Sequence, residues 1–442
     1  MRTSGPESYR ERLERVVFSS MSNTSMGFYV FVLFLLAVIA WALYAYFVQL
    51  RYGLIATGTR DVVIWGLYIS NFVFFIGISY AGTLVSAVLR LTNAGWRTPV
   101  TRLAEVIAVV ALLIGAILPI IDLGRPDRVY NMFLFGRFQS PLLWDITAIM
   151  TYMAGGVIYL YLSLIPDLAL MRDRLGREAS GLKGRVLSVL SVGWLNLPEQ
   201  RHRLERAMSI MAVLILPLAV SVHTVVAFIF SMTLRPGWDS TIYGIYFVVG
   251  AIFSGTAVLL VTMAVLRRVY HLEEYFTEKH FRYLSYLLLT LLLSYLYLTF
   301  TEYLTPAYKL AGEEKHLLEL VLLGSNAIWF WLFMFGGLAV PALLIIFARV
   351  RPIPMIVTAS ALVAVGMGIK RFIIVVPTLQ VPLMPFEFGT YSPTWVELSV
   401  TAGLVAAFVL LMALSVKVFP IISIWEVAEE EEKEALSRSE EG

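Results

Sequence analysis

The run GFYVFVLFLLAVIAWALYAYFVQ at residues 27–49 contains no charged side chain. At about 1.5 Å of rise per residue, a helix of this length crosses the hydrocarbon core of a bilayer, which is about 30 Å thick. Windowed hydropathy marks nine further apolar stretches, at residues 62–90, 99–121, 142–165, 206–233, 240–266, 282–303, 318–347, 354–376 and 394–418. Spans two, five and eight have the longest predicted helices. The sequence therefore predicts an all-α polytopic membrane protein with about ten transmembrane helices.

The composition excludes a soluble domain of this size. Of the 442 residues, 59% are hydrophobic and 15% are charged, and the mean hydropathy is +0.78. Soluble domains carry about 25% charged residues. The chain contains no cysteine, which excludes disulfides and the usual cysteine-ligated iron–sulfur clusters. Residues 1–26 lack the short apolar core and small-residue cleavage site of a signal peptide, so we expect the first span to direct insertion.

The distribution of lysine and arginine predicts the orientation. Basic residues are concentrated before the first span, between residues 172 and 206, and after spans six and eight. Cytoplasmic loops carry this excess, so both termini are predicted in the cytoplasm, in the cytoplasmic membrane of a bacterium or archaeon. The predicted parts are a cytoplasmic segment 1–26, a transmembrane domain 27–418 with a cytoplasmic loop at about 166–205, and an acidic tail 419–442. We expect this tail to form a short solvated helix or to be unstructured.

A short glycine pattern occurs in two spans. Spans two and six each contain two glycines five residues apart, followed by an apolar run that ends in arginine. The segments are GISYAGTLVSAVLR and VVGAIFSGTAVLLVTMAVLRR. One interpretation is a pair of similar four-helix bundles, formed by spans two to five and six to nine and flanked by spans one and ten. Chance similarity between glycine-containing membrane helices is the alternative.

Ionisable residues from several segments are predicted at the extracytoplasmic end. The segment DLGRPDRVYNMFLFGRFQSPLLWD at 122–145 lies between two apolar runs, and His223 lies deeper within span five. Ionisable groups at membrane depth usually face a protein interior or an aqueous cavity, so the pattern predicts an outward-facing site. Helix caps and lipid-headgroup contacts are the structural alternative for any one of them. The residues placed at this end are Asp122, Arg125, Asp145, Asp239, Lys370, Arg371, Tyr391, Trp395 and Glu397.

His223 is the only histidine well inside a predicted span. A bis-histidine haem needs two axial imidazoles at matched depth, so intrinsic haem is not expected. No histidine or carboxylate cluster has the spacing of metal ligands, so no metal site is expected. An imidazole beside carboxylates suits proton exchange with a redox ligand such as a quinone. Glu105, together with Lys370 and Arg371, is a candidate proton path.

The order of the polar motifs resembles the NrfD/polysulfide reductase membrane subunit family. The matching motifs, between about residues 60 and 418, are DLGRPDR, SPLLWD, SVHTVVAFIF, RPGWDSTIYGIYFVVGAIFSG and YSPTWVE. They look most like the ten-helix branch found in alternative complex III and in sulfur-metabolism and quinone-reductase complexes. Many relatives have histidine at the positions of Asp122 and Asp239, where this chain has aspartate.

The resemblance implies a subunit without a redox cofactor of its own, neither haem nor iron–sulfur cluster. It would bind a quinone (menaquinone or similar) as substrate and exchange electrons with an extracytoplasmic, ferredoxin-like iron–sulfur subunit. Molybdopterin-type or multihaem cytochrome subunits would be the onward partners, with membrane lipid around the chain and no nucleic acid.

The sequence therefore favours a quinol-interacting subunit of a respiratory oxidoreductase complex, with proton translocation as a further option. His223 and Asp145 would handle protons, and Asp122 would be a second carboxylate on the exit path. Arg125 would organise these carboxylates, and Asp239 would close the quinone site from span six. The alternatives are a proton-coupled secondary transporter and a purely structural membrane anchor for an electron-transfer module.

Overall fold

The computed structural model describes residues 9–22, 24–175, 182–347, 352–384 and 387–427, and these residues form helices and loops without a strand. Ten helices are long and apolar enough to cross a membrane. This confirms the predicted all-helical, multi-pass architecture. We number them α1 (Met26–Tyr52), α2 (Leu67–Leu91), α3 (Thr98–Asp122), α4 (Pro141–Arg174), α5 (Pro198–Ser231), α6 (Tyr243–Val269), α7 (Glu278–Lys309), α8 (Ala327–Ile346), α9 (Ile353–Gln380) and α10 (Trp395–Val418).

The eighth span is shorter than predicted. The stretch expected to form one helix at 318–347 is divided between a separate helix, Gly312–Leu322, and α8, because the chain turns at Gly324 and Ser325. Within α8 the residues Leu332–Ala339 are wound as a π-helix. The longest spans are α4, α5 and α7, with 34, 34 and 32 residues, so the expectation that spans two and eight are among the longest was wrong.

The spans pack as two groups of four. Helices α2 to α5 surround one another in the first bundle, and α6 to α9 do so in the second. The two bundles meet where α2 crosses α6. At this crossing Gly77 faces the backbone of Ala251, and Gly255 lies directly against Ala81, so a side chain at Gly255 would collide with α2. The glycine pattern therefore permits close contact between the bundles.

Helices α1 and α10 pair with each other beside the first bundle. Gly403 of α10 lies against Ala42 of α1, and the Trp41 indole donates a hydrogen bond of 2.9 Å to Ser399 Oγ. Helix α10 in turn contacts α2 and α3. We name the end of the molecule at which α1 stops and α2 starts the outer end, and the opposite end the inner end, after the predicted orientation.

The chain after α10 packs into the inner end instead of leaving it. Ile422 and Ile424 are fully buried, and Glu426 and Val427 are also buried. The solvated tail that we expected at residues 419–442 therefore does not include these residues. The acidic residues 428–442, like residues 1–8, lie outside the described parts of the chain. The N-terminal helix Tyr9–Ser22 contacts α10 and buries Leu13 and Val17.

Candidate functional site

Asp145 is a buried carboxylate near the outer end of the first bundle. It lies in the second turn of α4, which begins at Pro141, and 9% of its surface is exposed. Its Oδ1 atom is buried and has no hydrogen-bond partner. A capping aspartate would accept a bond from a free backbone N–H at the helix start, so a capping role does not explain this oxygen.

Asp122 ends α3 at the outer end and is half-buried. It lies within electrostatic range of Glu397 and Tyr68. Glu397 is fully buried and accepts hydrogen bonds of 2.6 Å from the backbone N–H of Gly58 and 2.6 Å from the Tyr391 hydroxyl. Burial, reinforced by the Glu397 carboxylate, raises the pKa of Tyr391, so its hydroxyl stays protonated and donates.

Two of the predicted outer residues are not buried with these carboxylates. Arg125 is exposed and forms an ion pair of 2.8 Å with Asp127, two residues along the same loop. Asp239 is also exposed, in the loop before α6. It lies within electrostatic range of Glu302 in the second bundle. Both residues therefore lie at the outer surface and do not contact Asp145.

His223 faces the boundary between the bundles. It is 1% exposed, and neither imidazole nitrogen has a hydrogen-bond partner. Its ring lies against that of Tyr80, with 4.9 Å between centroids, and Arg371 of α9 is within electrostatic range. Because neither nitrogen is bonded, His223 and Asp145 do not contact each other directly, although the sequence paired them.

Arg371 is buried without a partner. Its guanidinium lies 5.1 Å from the centre of the Phe247 ring, and none of its three nitrogens makes a hydrogen bond within the described chain. Since α9 continues to Gln380, Arg371 lies about 14 Å below that outer end, at about 1.5 Å per residue. The expectation that Lys370 and Arg371 lie near the outer end of span nine was therefore wrong, because that helix is longer than predicted.

Lys370 points into the second bundle, next to a cavity of about 40 Å³. Its ammonium donates a hydrogen bond of 3.1 Å to the Tyr303 hydroxyl. It also lies over the rings of Tyr246 and Phe333, at 5.3 and 5.6 Å from their centres. Such contacts between a cation and aromatic faces stabilise a partly desolvated charge.

Glu105 lies toward the inner end of the first bundle, away from Lys370 and Arg371. Its carboxylate accepts hydrogen bonds of 2.7 Å each from Ser86 and Ser163. It lines a small cavity of about 10 Å³ together with Tyr152 and Tyr159. The three residues of the candidate proton path therefore divide between the two bundles.

An inner ion-pair network lies beneath this cavity. Arg102 contacts Asp167 at 3.0 Å, with both side chains 1% exposed, and Arg90 contacts Glu426 at 2.6 Å. Arg102 also donates to Ser163 O and, at 3.2 Å, to Ser423 Oγ. Although burial alone favours the neutral acid, Arg90 and its neighbouring arginines lower the pKa of Glu426.

Sequence reasoning missed several members of these clusters. Tyr80 is one of many membrane tyrosines, and nothing in its neighbourhood in the sequence marks it as the partner of His223. Arg102 and Asp167 lie at predicted helix ends, where charged residues ordinarily contact water or headgroups. The sequence therefore does not single them out as a buried pair. Gln49 could have been found, because a glutamine that ends an apolar run usually has a partner; it bonds Tyr68 at 2.8 Å and Ile121 O at 2.9 Å.

The known proteins that are similar to this chain are described as subunits of reductases or of an oxidoreductase. The family model "Polysulphide reductase, NrfD" matches residues 55–382. The chain is 30% identical to a putative dimethyl sulfoxide reductase membrane subunit from Halobacterium salinarum, over 92% of this chain and 94% of that protein. It is 25% identical to a selenate reductase subunit from Mesobacillus selenatarsenatis, over 85% and 90%. It is also 25% identical to the integral membrane subunit of an Hdr-like menaquinol oxidoreductase from Archaeoglobus fulgidus, over 94% and 100%.

The family match covers most of both bundles, and the similarity to the first relative covers nearly the whole of both chains. The ten spans and the order of the polar motifs agree with this assignment. The chain therefore belongs to the polysulphide reductase, NrfD family of multi-pass membrane subunits.

Proposed function

We propose that this chain is the quinone-exchanging subunit of a membrane reductase complex. Quinol oxidised in the outer half of the first bundle would give up two protons to the chain and two electrons to an iron–sulfur subunit at the outer end. The reverse reaction would take up the same two protons and two electrons. A menaquinone-type substrate agrees with the relative described as a menaquinol oxidoreductase subunit.

The observation that carries the proposal is the pair of buried, unsatisfied proton-handling groups in the first bundle. Both nitrogens of His223 and one oxygen of Asp145 lack partners, in a part of the protein lined by apolar helices. Buried polar atoms are nearly always satisfied in proteins, and exceptions mark sites that a substrate or water completes. A purely structural anchor has no need for such groups.

The predicted residues take different positions in this proposal. His223 and Asp145 exchange protons with the ring oxygens, each from its own side because they do not touch. Asp122, next to the buried Glu397, receives a proton on the way to the outer surface. Arg125 and Asp239 lie at the exposed mouth, where we place contact with the entering quinone.

Protons released from the quinone ring would move along two routes, one toward the second bundle and one toward the inner end. Arg371 lies within electrostatic range of His223, and Lys370 precedes it on α9, so these residues lead toward the second bundle. Glu105 and its hydroxyl partners would connect with the inner end. Proton translocation coupled to quinol oxidation would need both directions.

We propose electron-transfer partners outside this chain for two reasons: the chain has no cysteine ligands, and its relatives are described as subunits of reductases. The chain contains no cysteine for a cluster of the usual kind. A ferredoxin-like iron–sulfur subunit docked at the outer end would receive the electrons, and a molybdopterin-type or multihaem subunit would pass them on. Relatives described as dimethyl sulfoxide and selenate reductase subunits agree with an assembly of this kind.

The proposal is tested by replacing His223 with glutamine and Asp145 with asparagine in the purified complex. We expect quinol oxidation to fall by about 100-fold or more in each variant, the usual scale for loss of a general acid–base group. Co-purifying quinone and iron–sulfur protein should be measured in the same samples. Loss of the bound quinone would report its site independently of turnover.

Matched controls are available on the surface. His202→Gln and Asp61→Asn change exposed residues of the same types and should leave turnover unchanged. If both buried variants oxidise quinol at the rate of the controls and retain quinone, the assigned roles are wrong.

A further inference from the structure

The cavity in the second bundle contains buried oxygen atoms without partners. It lies between α6, α7, α9 and the helix Gly312–Leu322. Tyr243, which is 1% exposed, directs an unpartnered hydroxyl to it. Glu302 Oε2 and Glu314 Oε2 are also buried without hydrogen-bond partners. Three elements thus bring three free oxygens to one cavity.

The charges that line the cavity do not balance. Glu302 and Glu314 contribute two carboxylates and Lys370 contributes one ammonium, so the lining has a formal charge of one negative. Beyond the lining, Asp239 is in electrostatic range of Glu302, and Arg371 is in range of Tyr243. These two opposite charges offset each other. Both glutamates are half-buried, and their Oε2 atoms are the buried parts that lack hydrogen-bond partners. Burying such an oxygen is costly unless a partner satisfies it.

Lys370 does not neutralise the carboxylates by direct contact. Its ammonium donates to the Tyr303 hydroxyl and lies over aromatic rings. It is within electrostatic range of Glu302, but no ion pair within 4.0 Å joins it to a carboxylate among the described residues. The π-helical segment of α8 carries Phe333 to 5.6 Å from the ammonium. Departures from α-helical winding of this kind are frequent at functional sites. Lys370 therefore contacts aromatic rings directly, whereas Glu302 acts on its charge over a longer distance.

The geometry points to a monovalent-cation site in this cavity, with Glu302, Glu314 and Tyr243 as oxygen ligands. Carboxylate and hydroxyl oxygens are hard ligands of the kind that bind alkali and alkaline-earth ions. A single positive charge neutralises the lining. A divalent ion would leave it positive, and the described residues contain no group of three or more His, Cys, Asp or Glu that could hold a metal. The remaining ligands would be water and Thr378, which also lines the cavity.

This site shares Lys370 with the proposed proton route but contains neither His223 nor Asp145, and it is tested without turnover. The purified protein is titrated with sodium chloride, with choline chloride added to keep the ionic strength constant, and the melting temperature is followed. We expect a saturable rise with sodium, because an ion that binds only the folded state stabilises it. Radioactive sodium binding should saturate near one ion per chain. The same behaviour with potassium or lithium also supports a monovalent site.

Four variants test the assignment: two change proposed ligands, one is a control, and one removes the nearby ammonium. Glu302→Gln and Glu314→Gln should each abolish the sodium-dependent rise, whereas Glu319→Gln, an exposed change on the same helix as Glu314, should retain it. Lys370→Gln should bind sodium more tightly, by tenfold or more, because it removes the competing ammonium.

The inference is overturned if sodium and choline give the same melting temperatures in the wild-type protein and no radioactive sodium is retained. That result would mean that water alone fills the cavity. It would leave the proposed quinone function untouched, since His223 and Asp145 do not line this cavity. If the wild type and Lys370→Gln bind sodium equally well, the Lys370 ammonium does not compete with the ion. The ion would then not be bound beside these carboxylates.

Discussion

Buried charge is paired in the inner ion-pair network and is unpaired at Arg371 in the second bundle. At the inner end Arg102, Asp167, Arg90 and Glu426 form close ion pairs with additional hydrogen bonds. Toward the outer end, Arg371 is buried with no hydrogen-bond partner in the described chain. A satisfied network holds segments together, whereas an unsatisfied group leaves interactions open for a substrate, an ion or a proton. The paired charges of the inner network hold segments together, as does the hydrogen-bonded Glu397 at the outer end, whereas the unpaired Arg371 is available for chemistry.

Breaking the buried ion pair between Arg102 and Asp167 gives the largest expected loss of stability. Arg102→Ala leaves Asp167 buried without its partner, which costs about 3–5 kcal/mol of unfolding free energy for pairs of this type. The melting temperature of the detergent-purified protein should fall accordingly. Arg125→Ala, which removes an equally close but exposed pair, should leave it unchanged. Equal melting temperatures for Arg102→Ala and the wild type would contradict the structural role of the inner network.

The ion pair between Arg90 and Glu426 is expected to stabilise the inner end at neutral pH and to be lost in acid. The folded-state pKa of Glu426 lies below the ordinary value of 4.5, despite its burial, because of the surrounding arginines. The ion pair therefore stabilises the folded state fully above pH 4.5, and this contribution is lost as the pH falls through the lower folded-state pKa. Glu426→Gln should lower the melting temperature at neutral pH and weaken its decline in acid. Parallel pH profiles for the two proteins would show that the pair contributes no pH-dependent stability.

Arg371→Met is expected to have the smallest effect on stability, and in the opposite direction. Removing a buried charge that lacks a partner should raise the unfolding free energy by about 1 kcal/mol or more. Quinol oxidation by the complex should fall at the same time, because the guanidinium next to His223 is lost. Thermal shift and turnover are measured on the same preparation, with Arg268→Met at the inner end of α6 as a control. A drop in melting temperature would show that Arg371 has an essential structural partner.

The sequence predicted the number of spans and most of the outer polar residues. Apolar runs longer than a bilayer is thick have few alternatives to a transmembrane helix, so their count is a local property. The eighth span was predicted too long because the turn at Gly324 lies between two apolar helices, and hydropathy does not register it. The depth of Arg371 was misjudged for a similar reason, since α9 extends four residues beyond its predicted end.

The partners of these residues could not be predicted. Tyr80 and His223 are 143 positions apart, and Arg90 and Glu426 are 336 positions apart. Periodicity places a residue on a helix face, but it does not say which distant helix covers that face. Only the packing of α2 against α5 and the return of the chain after α10 determine these contacts.

The sequence by itself determined the class of the protein, the ten spans, the lack of cysteine ligands and the motifs that define its family, because each depends on composition or on short segments. The tertiary structure decided which of the buried charges are paired. Pairing depends on where side chains from distant helices meet, and the energy of a buried charge is set almost entirely by whether a partner lies within a few ångströms. That is why residues of the same type, such as Arg102 and Arg371, hold the fold together in one place and are available for chemistry in another.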